Sequence, residues 1–203
     1  MKNLLGMKQS KENTTMIIGL DFDGTINDML ETWLEWLNKK HGTTVKLEDV
    51  VDWELSKVYP SLSKKELFEP LNTPEYWSHV TIKANADEVI KKLIDEGHQI
   101  YIVTSSHYRT LSAKLDKCLF EHLPFLNKEN IIITYHKALI NCDVLLDDAE
   151  HNLINFKGIK VLFDASYNKN STVHDFRISS WTEFYELVQE LKNVGIGEKH
   201  NGK

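Results

Sequence analysis

Three clusters of polar residues and one lysine could do chemistry together. Asp21-Phe22-Asp23-Gly24-Thr25 follows the apolar run 16–20, Thr104-Ser105-Ser106 follows the run 99–103, and Asp147-Asp148 follows the run 143–146. Lys137 lies ten positions before Asp147. Carboxylates of Asp21, Asp147 and Asp148 brought close would repel one another unless a cation lay between them. Oxygen donors of this kind suit Mg²⁺, which keeps positions open for water and a phosphate. Gly24 permits close backbone approach, and N–H groups there, or at Thr104 and Ser105 ahead of a helix, suit an anion. Lys137 adds a point positive charge. A carboxylate nucleophile, a metal, a hydroxyl and a lysine make a phosphoryl-transfer site that works through an aspartyl-phosphate.

The elements that must position these groups are legible in the hydrophobic pattern. The short apolar runs 16–20, 99–103, 131–133, 143–146 and 159–163 read as buried strands. Helical spacing connects them: Ile26, Met29, Leu30, Trp33, Leu34 and Leu37 predict a helix ending before Gly42. Ala86, Val89, Ile90, Leu93 and Ile94 predict another, with Asn85 and Glu88 as a capping box and Gly97 as its stop. Further helices are expected over 108–119 and 181–192. Alternating strands and helices predict an α/β fold, a three-layer Rossmann-like core with a central parallel sheet. In such a sheet all four groups converge beyond the carboxyl ends of the strands.

Residues 43–80 break this pattern with three prolines and short helical pieces. Together with the end of the preceding helix they make a stretch, 33–80, that holds four of the five tryptophans and reads as a small, mostly helical cap. The core then comprises 16–32 and 81–194, flanked by a flexible leader, 1–15, and a flexible tail, 195–203. The chain has 203 residues, 41% hydrophobic and 27% charged, which excludes wholesale disorder. No apolar run approaches the ~20 residues of a membrane span. A net charge of −6 argues against duplex nucleic acid as a partner, since such binders neutralise phosphates. Cys118 and Cys142 have no metal-binding spacing and read as reduced thiols of a cytoplasmic protein.

DFDGT, a strand ending in TSS, Lys137 and DVLLDD stand in the order of the four motifs of the haloacid dehalogenase (HAD) phosphohydrolases, which this chain resembles from about residue 16 to 163. The resemblance implies that Asp21 is the nucleophile and Asp23 the general acid, then the base. It implies that Thr104 binds the transferring phosphoryl and that Lys137 holds phosphate and nucleophile in place. Asp147 and Asp148, with the Asp21 side chain and the Asp23 carbonyl, would hold Mg²⁺. The chain length, the Thr-Ser pair and the stretch from His136 to Asp148 (HKALINCDVLLDD) further resemble the 5′(3′)-deoxyribonucleotidases. That family has a helical cap at the same place and implies a nucleoside monophosphate substrate. Ser106, where a proline often follows Thr-Ser, and Ala149, where the animal enzymes have arginine, depart from its pattern.

Each residue also has a plain structural reading. Asp21, Asp23 and the Asp147-Asp148 pair occur as turn or cap residues, Lys137 as a solvated loop lysine, and Ser105 as a turn residue. Their joint order favours the functional reading. Gly24, Thr25 and Ser105 are expected at the substrate, with Arg109, Trp36 and Trp77 as further candidates. Trp33 lies on the apolar stripe and reads as core. Another small phosphomonoester, such as a sugar phosphate, is the alternative substrate. A receiver-like phospho-acceptor would place its acidic pair first, not last, and an inactive binding module would not need the full motif set. The assembly is expected to be a monomer or a homodimer.

Overall fold

The structure is a computed structural model and describes residues 15–197; residues 1–14 of the expected leader and 198–203 of the expected tail lie outside them. Its centre is a sheet of six strands: β1 (Ile17–Leu20), β2 (Gln99–Thr104), β3 (Ile131–Ile133), β4 (Val144–Asp147), β5 (Ile159–Phe163) and β6 (Phe176–Ile178). Their order is β3-β2-β1-β4-β5-β6, and every neighbouring pair is parallel. A parallel sheet buried on both faces needs apolar residues at consecutive positions. Here Ile18, Leu20, Ile102, Leu146, Val161 and Phe163 join the large core cluster, while Leu145 and Leu162, one register step away, join a second cluster with Leu153 and Phe156. The three-residue β6 was not expected from sequence.

The helices are α1 (Met29–His41), α2 (Lys64–Phe68), α3 (Pro74–Trp77), α4 (Ala86–Asp95), α5 (Tyr108–Lys114), α6 (Phe120–His122), α7 (Glu150–Leu153) and α8 (Trp181–Asn193). Helix α1 buries Met29, Leu30, Trp33, Leu34 and Leu37, and stops at Gly42, whose φ of 66° is left-handed. It begins three residues later than the spacing predicts. Ile26 is taken by the turn after β1, where Ile26 N and Asn27 N both donate to Phe22 O. The expected capping box of α4 is absent: Asn85 is left-handed, φ 64°, and its side chain makes no cap bond. Asn is among the few residues that tolerate this conformation. The helix expected over 108–119 changes to a π-helical turn, Leu115–Leu119, after Lys114.

Two passages connect the helical segment 29–80 to the sheet, and they are tied side by side. Asn27 forms an antiparallel bridge with Ile82. Asp28 N donates to Thr81 O at 2.9 Å and Lys83 N to Ile26 O at 2.8 Å. The Lys83 ammonium then pairs with Asp28 at 2.9 Å. On the other side, Trp181 at the start of α8 donates from Nε1 to Thr25 O at 3.3 Å. The loop that carries the first acidic motif is thereby fixed from both directions.

The start of β1 is pinned by a buried histidine. Met16 N donates to His98 Nδ1 at 3.2 Å, and the buried His98 Nε2 has no partner among the described residues. Burial depresses the His98 pKa below its ordinary 6.5; the Lys192 charge adds to this and Glu96 opposes it. Above pH 6.5 both folded and unfolded states are neutral at this residue. As the pH falls below that value, the unfolded chain binds a proton that the folded chain still refuses, so stability is lost there. The melting temperature of the protein should therefore fall more steeply between pH 7.5 and 5.5, on the order of the span where histidine titrates, than that of His98→Gln. Parallel curves for the two proteins would exclude His98 as a source of acid lability.

Candidate active site

Register brings the acidic motifs together. Leu20 pairs with Ile102 on one side and Leu146 on the other, and Asp21 N donates to Leu146 O at 2.9 Å. Asp21 and Asp147 therefore leave adjacent strands at the same level, where the strand order reverses. Asp21, Asp147 and Asp148 are 5%, 0% and 1% exposed, and one carboxylate oxygen of each lies within 4.8 Å of the others. The Lys137 side chain, from a short 3-10 turn after β3, reaches between them. Its ammonium contacts Asp21 Oδ1 and donates to Asp147 Oδ2 at 2.6 Å. The other Asp147 oxygen accepts from Ala149 N at 2.9 Å and Asn152 Nδ2 at 3.0 Å.

This cluster holds more negative than positive charge. Burial pushes the Asp21 carboxyl above the ordinary carboxylate value; the Lys137 ammonium opposes this and Asp147 adds to it. Asp148 is pushed well above it, by burial first and then by Asp21 and Asp147. Burial works against the Lys137 charge, yet its two carboxylate partners hold its pKa above the usual lysine value. A buried acidic set made only of hard oxygen donors, with one ammonium against three carboxylates, fits a small divalent cation.

Around this floor the loop 21–27 is fastened by Asn27, a fully buried residue that sequence reasoning missed. Its Oδ1 accepts from Gly24 N and Met29 N, both at 3.1 Å, and its Nδ2 donates to Asp23 Oδ1 at 3.2 Å. Asp23 Oδ2 contacts the ammonium of Lys114. Burial raises the Asp23 carboxyl pKa, and Lys114 opposes the rise. Asp148 Oδ2 accepts from Tyr167 in the β5–β6 loop. The Tyr167 ring packs edge-on against Trp53, with centroids 4.7 Å apart. Neither Lys114 nor Tyr167 was singled out from the sequence: one lies on a polar-looking helix, the other in an irregular loop.

A cleft of about 850 Å³ opens over the site. Asp21, Asp23, Ser105, Lys137 and Asp148 form its floor, and Leu30, Trp33, Val50, Leu67 and Phe68 belong to its apolar wall. Trp33 is core and wall at once: it is buried, donates to Leu67 O at 2.7 Å and packs on Phe68. Trp53 also lines the cleft. Thr104 is fully buried beneath the floor, where it meets Lys114. Ser105 donates from Oγ to Thr134 O at 2.9 Å. Ala149 lines the cleft, whereas Ser106 shares a hydrogen bond with Thr110.

Five expected substrate residues lie elsewhere. Thr25 is buried behind the carboxylates, its hydroxyl 3.3 Å from Asp148 Oδ1, and Gly24 sits behind Asp148. Trp36 does not line the cleft; its ring packs against Tyr76 and His79. Trp77 is buried and donates to Leu71 O at 3.0 Å. Arg109 is exposed and folds back on its neighbour, donating from Nε to the Tyr108 hydroxyl at 2.9 Å.

Sheet order, acidic edge and the helical segment after the first strand define a HAD-type phosphohydrolase. Solved structures show the same fold. A haloacid dehalogenase-like hydrolase from Streptococcus pneumoniae superposes with a TM-score of 0.61 at 14% identity, over 87% of this chain and 99% of that one. A HAD family hydrolase from Deinococcus radiodurans, crystallised with phosphate and sodium, gives 0.61 at 14% identity, over 88% and 97%. The model of the family "5′ nucleotidase, deoxy (Pyrimidine), cytosolic type C protein" matches residues 15–194, and the chain belongs to this family. It is 30% identical to a 5′(3′)-deoxyribonucleotidase of Clostridium acetobutylicum, over 87% of this chain and 96% of the relative. It is 32% identical to one of Bacillus subtilis, over 82% and 95%. The protein is thus a phosphatase of the 5′-nucleotidase class, acting on a small nucleotide phosphate. Among the described residues, no helix is long and apolar enough to cross a membrane.

Gly24 supplies a test of how tightly this floor is built. Its φ is +78°, and a Cβ there would lie 2.5 Å from Asp148 Oδ2 and 3.0 Å from the Tyr167 hydroxyl. Gly24→Ala must strain the backbone and displace Asp148. We expect a loss of about 1–3 kcal/mol in urea unfolding and a far larger proportional loss of phosphatase turnover. A variant with full turnover would show that the Gly24–Asp148 approach is dispensable.

Proposed function

We propose that the protein is a Mg²⁺-dependent 5′(3′)-deoxyribonucleotidase that works through an aspartyl-phosphate. The observation that carries this reading is the floor of the cleft: a buried carboxylate paired with a lysine, a second carboxylate two residues on, and an acidic pair beside both. Asp21 attacks phosphorus, forming an acyl-phosphate as the bond to the nucleoside oxygen breaks. Asp23 delivers its proton to that oxygen; burial, which favours the protonated carboxyl, suits it to this task. Asp23 then takes a proton from water, which attacks the acyl-phosphate, releasing inorganic phosphate and restoring Asp21. Lys137 holds Asp21 in place and offsets charge on the phosphoryl oxygens. Ser105, at the cleft, completes the phosphoryl site, and Thr104 lies beneath it.

Asp21, Asp147, Asp148 and the Asp23 carbonyl would hold Mg²⁺, which supplies charge neutralisation of the phosphoryl group and of the crowded carboxylates. The segment 33–80 serves as a cap. The cleft's apolar wall of Leu30, Trp33 and Phe68 fits a flat base better than a hydroxyl-rich sugar, which favours a nucleotide over a sugar phosphate. The two cysteines, free and buried, fit a reducing cytoplasm.

The test is phosphate release across 5′- and 3′-monophosphates of deoxy- and ribonucleosides, with several sugar phosphates beside them. We expect deoxynucleotides to lead and chelation by EDTA to stop turnover until Mg²⁺ is restored. Sugar phosphates in the lead would remove the nucleotidase reading and keep the phosphatase. Asp21→Asn should cost on the order of 10³-fold or more in kcat without lowering the melting temperature. Retained turnover in that variant would overturn the nucleophile assignment.

A further inference from the structure

The site contains a second buried lysine with no role in the mechanism above. Lys114 is 1% exposed, as inaccessible as Lys137, and sits at the end of α5 where the helix passes into its π-helical turn. Its ammonium contacts Asp23 Oδ2, lies 2.7 Å from Thr104 Oγ1 and 3.3 Å from the Ser105 carbonyl. The rings of Phe22 and Trp77 flank it, each centroid 5.6 Å from Nζ. An ammonium has three donors and no acceptor. All three are directed at site residues, so Thr104 must accept from it and Asp23 must receive it with one oxygen. The other Asp23 oxygen is held by Asn27 Nδ2 at 3.2 Å.

Burying a lysine to this extent is not needed for stability. Apolar groups of similar volume in place of a buried ion pair are often neutral or better. A site where a carboxyl must deliver a proton along one direction has another need. Its rotamer must be fixed, and the charge it gains as the proton leaves must be met by a preorganised partner.

We propose that Lys114 is the positioning residue of Asp23. It aims the carboxyl at the leaving oxygen and stabilises the carboxylate that forms there, while Thr104 and the Ser105 carbonyl anchor its own ammonium. The proposal rests on the reading of Asp23 as the proton donor to the leaving group. Lys114 touches neither substrate nor reacting atom and acts only through Asp23.

A merely structural lysine and a positioning one differ in how their loss depends on the leaving group. The experiment compares kcat/KM, which reports steps up to formation of the aspartyl-phosphate, for a deoxynucleoside 5′-monophosphate and for p-nitrophenyl phosphate. The first has a leaving oxygen that needs a proton; the second does not. The variants are Lys114→Met, Asp23→Asn and the two combined, with melting curves for each. Lys114→Met should lose on the order of 10²-fold on the nucleotide and much less on p-nitrophenyl phosphate. Combined with Asp23→Asn it should add nothing to the loss from Asp23→Asn alone. Equal losses on both substrates, or additive losses in the double variant, would overturn the proposal. Equal losses on both substrates from Asp23→Asn itself would overturn the acid role on which it rests, and so separate the two failures. Should Lys114→Met not fold, Lys114→Ala with added ethylamine gives the same answer: rescue on the nucleotide, absent in the double variant with Asp23→Asn, supports the proposal, and no rescue in a folded variant overturns it.

Discussion

Three buried carboxylates beside one ammonium, which pairs with two of them, constrain the rest of this molecule. Charges so close together, away from water, are costly unless geometry and hydrogen bonds compensate them. Lys137 joins Asp21 to Asp147, Asn152 and Ala149 N hold the far side of Asp147, and Tyr167 holds Asp148. The remaining charge imbalance sets the cluster apart from a structural salt bridge and suits it to a cation.

The sheet meets this constraint through its topology. Its order reverses between β1 and β4, so connections leave those two strands in opposite directions and open a crevice above their carboxyl ends. The carboxylates need no long loops to meet, because register alone sets Asp21 beside Asp147. Gly24, Asn27 and Trp181 then fix the one loop that must turn sharply under the cleft.

The legible part of this arrangement consists of residues that interrupt a strong pattern. Asp21, Thr104 and the Asp147-Asp148 pair end apolar runs, and a polar residue at a buried strand end announces itself. Lys137 was legible through its distance from Asp147. Lys114 carries no such mark, because a lysine on a helix with polar neighbours has the pattern of a solvated face; only the tertiary contact with Asp23 distinguishes it. Tyr167 lies in a loop without periodicity, and the three residues of β6 are too few to show one. For the cap aromatics, residue type was informative and direction was not. Trp33 and Trp53 line the cleft, while Trp36 and Trp77 turn away from it. A tryptophan suits a packed core and a cleft wall equally well until its neighbours are in place.

Floor and roof of the cleft differ in how firmly they are held. The floor is a network of buried, charge-assisted bonds, in which loss of one member leaves another unpaired. The roof meets the acidic side through Trp53, 49% exposed, set edge-on against Tyr167. An aromatic pair of that kind is worth about 0.5–1.5 kcal/mol beyond its buried area, less than the 1–3 kcal/mol that one orphaned buried polar group costs. The contact at Trp53 is thus held less firmly than Asp148. Tyr167 touches both, its ring meeting Trp53 at the edge of the roof and its hydroxyl holding Asp148 in the floor.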